Sequence, residues 1–322
     1  MRRIPLALLL AGTLLLLAVT PFFGSLPLSP LSLGRDATAR FLFWNLRVPR
    51  TILAFGAGAL LSMMGLLFQS LFRNPLTSPF TLGLSSAASF GVFLSLKSGL
   101  LLSLPFLAAD FNPFSFLFAL LPLLLIYLFS FRQGDLDLSN VLLAGVAFNF
   151  LFSSLVLVLH FIVSPEQSFE FFKWIFGSLE TGGYAPACTV FVLALLTLSL
   201  LLRFHRELDL FSLSEEIALI KGVSTSRLKN LFLLTASVVT AILVSYTGPI
   251  GFLDLVVPHI ARRSFPQRHK VLLPLSAVMG GALLVLSDTL SRSVVAPAEI
   301  PVGILTTLFG VPFLVVVLLK KK

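Results

Sequence analysis

Charge is what this chain has least of. Only 11% of its 322 residues are Asp, Glu, Lys or Arg, against 57% that are hydrophobic, where a soluble domain carries about 25% charged residues. With a mean hydropathy of +1.01, that deficit excludes a water-soluble fold for most of the chain and places it in lipid. Cysteine is nearly absent. The single Cys188 cannot form an internal disulfide and cannot alone build a structural metal site, so no metal centre and no redox chemistry are expected. No G-x-x-x-x-G-K-[ST] phosphate loop, no H-E-x-x-H and no G-x-S-x-G elbow occurs, and the carboxylates are scattered rather than paired. An enzyme has almost nothing to build on here, and ATP is not expected to be split by this chain.

What is present is a series of apolar runs. A bilayer core of about 30 Å takes about 20 residues of helix, and ten such runs fall at approximately 5–23, 50–71, 80–98, 113–131, 139–162, 186–204, 229–247, 250–264, 272–290 and 303–319, the eighth being short. The expectation is an all-α polytopic membrane protein, one transmembrane domain over 1–322, with about ten helices and both termini on the same side. With the termini cytoplasmic, 16 of the 23 Lys and Arg lie inside, among them Arg2, Arg3, Arg132 and Lys320 to Lys322. Arg35, Arg40, Arg47, Arg50, Lys97, Lys173 and Arg292 remain outside, a bias of the right sign for this orientation. The net charge of +9 therefore reports topology, and no nucleic-acid partner is implied. Met1-Arg2-Arg3 has the basic start of a signal peptide, but no clear small-x-small cleavage site follows the run from Ile4 to Phe23, so that run is expected to stay as the first helix.

The loop at 205–228 is the most informative soluble stretch. Ser212-Leu213-Ser214-Glu215 has capping-box spacing and Gly222 is a natural stop, which predicts a short helix from about 213 to 221. Leu213, Ile217 and Ile220 fall at i, i+4 and i+7, one apolar face on a helix too short to stand alone. Either that face docks on a partner or it packs on its own bundle. Outside, Arg47-Val48-Pro49-Arg50 and Arg292 run against the positive-inside bias; carboxylates of a partner and lipid headgroup phosphates are both chemically apt acceptors.

Backbone breaks are expected at Arg73-Asn74-Pro75-Leu76, Ser78-Pro79, Gly248-Pro249-Ile250-Gly251, Val257-Pro258-His259 and Glu299-Ile300-Pro301-Val302-Gly303. Irregular backbone at membrane depth persists only where protein buries it or it lines a cavity, which points to a pathway or a gate. Gly56-Ala57-Gly58-Ala59 and Gly280-Gly281 read first as sites of close helix packing. Paired carboxylates or a Lys/His relay at mid-membrane, the mark of an ion-driven carrier, are not evident. His160 and His259 lie near span ends and read as interfacial or capping residues, and Asp288 is spaced to bond Arg292 at i+4.

Six stretches in order resemble one family, the permease subunits of binding-protein-dependent ABC importers for iron–siderophore complexes, haem and cobalamin. They are Leu46-Arg47-Val48-Pro49-Arg50; Gln69-Ser70-Leu71-Phe72-Arg73-Asn74-Pro75-Leu76 running into Ser78-Pro79-Phe80-Thr81-Leu82-Gly83; Leu143-Ala144-Gly145-Val146; Trp174-Ile175-Phe176-Gly177-Ser178-Leu179; Gly248-Pro249-Ile250-Gly251-Phe252 with Val257-Pro258-His259-Ile260-Ala261-Arg262; and Ala296-Pro297-Ala298-Glu299-Ile300-Pro301-Val302-Gly303. The family usually has glycine where this chain has Asp254 and Ala87.

The resemblance implies a homodimer of ten-helix subunits in the inner membrane, or a pair with a homologous permease. Two ATPase subunits would bind below, carrying the ATP and Mg, and a substrate-binding protein above. It places the ATPase-coupling helix at Leu213, Ser214, Glu215, Glu216, Ile217, Ala218, Ile220, Gly222 and Val223. It assigns Arg47, Arg50 and Arg292 to docking of the binding protein. The fifth helix would line the path, with Asn149, Ser153 and Ser154 as its polar candidates. The Ser78-to-Ser86 run leans toward a ferric siderophore as cargo, with haem or cobalamin as sibling readings and an ion-coupled carrier as the alternative outside the family.

Overall fold

The computed structural model describes residues 6–26, 28–98, 111–130, 137–180, 183–295 and 297–319. Arg2, Arg3, Arg132, Ala296 and Lys320 to Lys322, used in the sequence reading, lie outside them. Among the described residues the structure is helical, without a strand. The first half comprises α1 (Leu6–Val19), α2 (Pro30–Arg35), α3 (Ala37–Phe41), α4 (Val48–Leu71), α5 (Leu84–Ser98), α6 (Pro113–Ser130) and α7 (Leu138–His160). The second comprises α8 (Pro165–Ile175), α9 (Tyr184–Arg203), α10 (His205–Leu213), α11 (Glu215–Ile220), α12 (Thr225–Thr247), α13 (Leu253–Ser264), α14 (His269–Ser293) and α15 (Val302–Leu319). Each of the ten apolar runs coincides with one of these helices. α13, with 12 residues, is about 18 Å long at 1.5 Å per residue and does not cross a bilayer core by itself.

The core is built round α4, buried along nearly its whole length, with α14, α9, α13 and α12 packed on it. Small residues make that possible. A β-carbon at Gly58 would stand 2.2 Å from the Gly280 carbonyl oxygen, and one at Gly65 would stand 1.8 Å from the Asp254 carbonyl oxygen. Gly56 lies against the backbone of Val190 and Phe191 on α9, and Gly281 against the Phe55 ring. Both glycine pairs thus serve close packing, as their spacing suggests. α3 runs into α4 through a π turn at Leu42–Arg47, so Ala37–Leu71 forms one 35-residue helical stretch.

Of the expected breaks, those at 73–79 and 248–251 lie outside the α-helices and that at 299–303 runs into the start of α15, but Pro258 lies inside α13, which continues through it. Proline has no amide to offer the carbonyl of Asp254 one turn earlier. The Gln69 side chain on α4 replaces that donor, with Nε2 at 3.2 Å from the Asp254 oxygen and 3.4 Å from that of Leu255. The helix survives because its freed acceptors are satisfied from a neighbour.

Four helices were not anticipated: α2 and α3 in the connector before α4, and α8 and α10. α8 lies in the connector after α7, with Ser164 as N-cap, Pro165 at its first position and Glu166 in its first turn; these start signals were legible in Ser164-Pro165-Glu166. α10 precedes the predicted coupling helix.

Candidate functional site at the two faces of the bundle

On the side assigned to the cytoplasm, the loop between α9 and α12 folds as two short helices rather than one. Ser212 does not cap: its hydroxyl donates to the Asp209 carbonyl at 2.8 Å and the residue stays in α10. Ser214 is the N-cap of α11, accepting from the Ile217 amide at 3.0 Å. The start therefore shifts by two residues, from the expected 213 to Glu215, and no capping box closes because Ile217 occupies the position a Glu or Gln would need. The stop is as expected. Gly222 has φ +79°, its amide donates to Leu219 at 2.9 Å, and the Val223 amide reaches back to Ala218 at 3.0 Å. That pair of bonds is a Schellman motif, and the left-handed backbone favours glycine.

The apolar face is left open. Leu213 is 67% exposed and Ile220 82%, with Ile217 and Leu219 exposed beside them, while Ala218 is turned fully inward. Glu215 forms an ion pair with the buried Lys229 of α12, and Glu216 lies exposed next to it. In α10, Asp209 accepts from the backbone amide of His269 at 2.8 Å and meets its Nδ1 at 2.6 Å. Burial pushes the Asp209 carboxyl up, but the hydrogen bonds from the His269 ring and amide, together with the ring's charge, outweigh it and hold the group below the usual carboxylate range.

On the opposite side the three arginines point inward. Arg47 is 9% exposed, and its guanidinium donates to the carbonyls of Pro21 at 3.3 Å, Phe22 at 3.2 Å and Leu26. Arg292 is 3% exposed and lies 3.2 Å from Asp288, so the i+4 pair is buried rather than a surface pair. Arg50 joins both sides of the cluster, with Nε and Nη2 each 2.9 Å from Asp288 and Nη1 2.9 Å from Glu299. Arg47 and Arg292 are thus bound within the chain, and neither offers a free guanidinium at the surface. Next to Arg50 lies a cavity of about 730 Å³ lined by Phe169, Glu170, Lys173, Trp174, Glu180 and Glu299 among others.

Between the faces, α7 turns most of its surface away from its own bundle. Asn149, Ser153 and Ser154 are exposed there among Leu143, Phe150 and Leu157. Asn149 and Ser153, at i and i+4, share one stripe. The inner face of α7 is fixed by Gly145, where a β-carbon would meet Leu82 at 2.6 Å, and by Gly83, which lies against the Asn149 amide. Asp254 is 1% exposed, with the Ser78 side chain and the Asp254 and Leu255 backbone beside its carboxylate. His160 ends α7 and packs against the rings of Phe93, Phe171 and Phe172. Among the described residues no three His, Cys, Asp or Glu come together as metal ligands.

The sequence profile of the FecCD transport family matches residues 7–320. The hemin transport system permease protein of Yersinia pestis is 37% identical over 324 residues, covering 98% of this chain and 96% of its own. The iron(3+)-hydroxamate import system permease protein of Bacillus subtilis (strain 168) is 31% identical over 327 residues, with 97% of each chain covered. Among solved structures, an inward-facing conformation of a metal-chelate type ABC transporter superposes with a TM-score of 0.84 at 33% identity, over 97% of this chain and 98% of that one. With an all-α bundle of the same shape and family-level identity along its length, the chain is a member of the FecCD transport family, a multi-pass membrane permease of the ABC-transporter type.

Proposed function

We propose that the chain is the membrane-spanning subunit of an importer driven by ATP hydrolysed on separate subunits, moving a ferric siderophore or related iron chelate from an external binding protein to the cytoplasm. It acts as a dimer, of two copies or with a homologous permease, with two ATPase subunits below and one binding protein above. ATP and Mg stay on the ATPases, and no covalent chemistry falls to this chain.

The observation that carries the reading is the capped α11 helix with its apolar residues exposed. Leu213, Ile217, Leu219 and Ile220 leave a hydrophobic patch at the cytoplasmic side, and a folded, doubly capped helix with such a face calls for a groove on a partner. Ser214 and Gly222 fix its ends, Glu215 and Ala218 hold it to the bundle, and Glu216 and Val223 flank the patch. ATP-driven closure of the ATPases would pull this element and tip the bundle between inward and outward openings.

Docking of the binding protein is assigned to the mouth built by Arg47, Arg50 and Arg292. Arg50 with Glu299 forms the rim, and Arg47 and Arg292 support it from within. The stripe of Asn149 and Ser153, with Ser154, is assigned to the path wall between two copies, where sparse hydroxyls and an amide among apolar residues let a bulky chelate pass without holding it. Haem is the second reading for the cargo, favoured by the 37% identity to the hemin permease over nearly the whole chain.

Uptake of radiolabelled ferric siderophore into proteoliposomes holding permease, ATPase and binding protein, with ATP inside and a protonophore present, tests the assignment. Uptake that requires ATP and the binding protein is expected. Uptake by the permease alone, abolished by the protonophore, would overturn it in favour of a secondary carrier.

A further inference from the structure

α4 and α14 are antiparallel and pinned together at three levels. At the cytoplasmic end His269 Nε2 of α14 lies 2.7 Å from Ser70 Oγ of α4. At mid-depth Gly58 meets Gly280 backbone to backbone. At the outer end Arg50 of α4 is bonded to Asp288 of α14. The spacing matches: Ser70 and Arg50 are about 20 residues apart on one helix, and His269 and Asp288 about 19 on the other, each about 30 Å of helix. Two helices of equal reach, joined at both ends and in glycine contact between, have no easy way to slide or hinge against each other.

The cytoplasmic pin is also where the coupling segment takes hold. Arg268, the N-cap of α14, contributes no side-chain cap. Asp209 of α10 supplies one from outside the helix, taking the His269 amide and the His269 ring on one carboxylate oxygen. A carboxylate at a helix N-terminus is favoured both by the free amides and by the helix dipole. The ring passes the contact on to Ser70, whose Oγ also accepts from Arg262 of α13 at 2.8 Å and lies 2.8 Å from the Leu66 carbonyl. The Asp–His–Ser order resembles a nucleophilic triad, but Ser70 and His269 are each 1% exposed and the hydroxyl is engaged on three sides. The set is a joint, buried at Ser70 and His269, where low-dielectric surroundings make each bond costly to break, and reached from a partly exposed Asp209.

We propose that α4 and α14 move as a single rod and that Asp209 is the positioning residue through which the coupling segment moves it, so that displacement at α10 and α11 reaches the Arg50, Asp288 and Glu299 cluster at the outer mouth. This rests on the assignment of α11 as the ATPase-coupling element. Glu215 and Lys229 give the segment a second hold, on α12, while Asp209 grips the helix that carries Asp288.

The test uses the full complex of permease, ATPase and binding protein in nanodiscs, with the exposed Cys188 replaced by Ser and Val295→Cys spin-labelled at the outer mouth. In the parent, ATP is expected to shift the label-to-label distance across the dimer. In Asp209→Ala that shift is expected to fall at least several-fold and uptake with it, while the ATPase still co-purifies. Asp209→Asn keeps an oxygen acceptor for the amide and ring, and should recover most of both. If Asp209→Ala does not yield folded protein, His269→Asn, which keeps the backbone bond to Asp209 and loses the link to Ser70, is expected to show the same uncoupling. An Asp209→Ala complex whose mouth and uptake respond to ATP as the parent does would overturn the proposal. So would loss of ATPase binding in that variant, which would place Asp209 in docking rather than transmission. A parent whose mouth ignores ATP removes the importer reading along with this one; a responsive parent with an equally responsive variant removes this one alone.

Discussion

Gly58 on α4 stands so close to Gly280 on α14 that a β-carbon at 58 would lie 2.2 Å from the Gly280 carbonyl oxygen, and one at 280 would lie 2.4 Å from that of Gly58. The obstacle is backbone on both sides, which cannot rotate away as a side chain would. Gly58→Ala or Gly280→Ala is therefore expected to force the helices apart, at a cost of at least about 1–3 kcal/mol. Gly12, whose β-carbon would meet nothing within 4 Å, should tolerate alanine without loss. Melting temperatures of the purified permease in detergent would check both, and equal tolerance at 58 and 12 would contradict the close crossing.

The bond from Gln69 to the carbonyl that Pro258 leaves free gives a second test. Gln69→Leu keeps the bulk but strands a buried acceptor, which should cost about 1–3 kcal/mol. Pro258→Ala should relieve part of that loss in the double variant, because alanine restores an amide to α13. Additive effects in the double-mutant cycle would argue against the link.

For the coupling segment, Glu215→Arg sets a second cation against the buried Lys229, and Gly222→Leu forces a side chain onto a residue with φ +79°. Both should disturb the seat of α11 while leaving the apolar runs that direct insertion intact. Membrane insertion near the parent level, with ATP hydrolysis no longer tied to uptake, is the expected outcome. Unchanged uptake in both variants would refute the coupling role.

Asp209 predicts a pH dependence. Its folded-state pKa is lowered, after opposing burial, by the His269 ring and amide. A lowered carboxylate contributes stability that is fully present above its unfolded value of about 3.9 and is lost as pH falls through the folded value. The stability gap between the parent and Asp209→Asn should thus narrow as pH is taken from about 5 down to 3. A gap that widens in that interval would mean that the carboxylate is not the stabilised form.

Which features the sequence disclosed follows from how local their causes are. Ten apolar runs became helices because hydrophobicity over about 20 residues is decided within the run itself. Gly222 was legible as a stop because a left-handed residue after a short apolar helix is a local requirement. The start was not, since Ser212 and Ser214 both have cap chemistry and only the competing bond from Ser212 to the Asp209 carbonyl separates them. Pro258 read as a break because its rescue comes from Gln69, far away in the chain. Arg47 read as outward-facing because its acceptors are carbonyls in the turn at 21–26, and nothing in residues 47–50 announces them. The α4–α14 rod could not be read at all, because it depends on residues from three distant segments meeting at matched depth.

At the outer mouth, the two carboxylates that bind Arg50 should differ sharply in what they contribute. Asp288 has a side chain 1% exposed and faces both Arg50 and Arg292, whereas Glu299 is 32% exposed and reaches Arg50 alone. Desolvated charges are costly to leave unmatched, so Asp288→Asn leaves the buried Arg292 without its carboxylate and Arg50 with Glu299 alone, and should cost about 3–5 kcal/mol. A rim carboxylate is screened by water and salt, so Glu299→Gln should cost no more than about 1 kcal/mol. Thermal unfolding at low and high salt separates the two: the Glu299→Gln difference should shrink with salt and the Asp288→Asn difference should persist. Were Asp288→Asn the milder change, the cluster would be hydrated, and Arg50 and Arg292 would be free to meet an external partner directly.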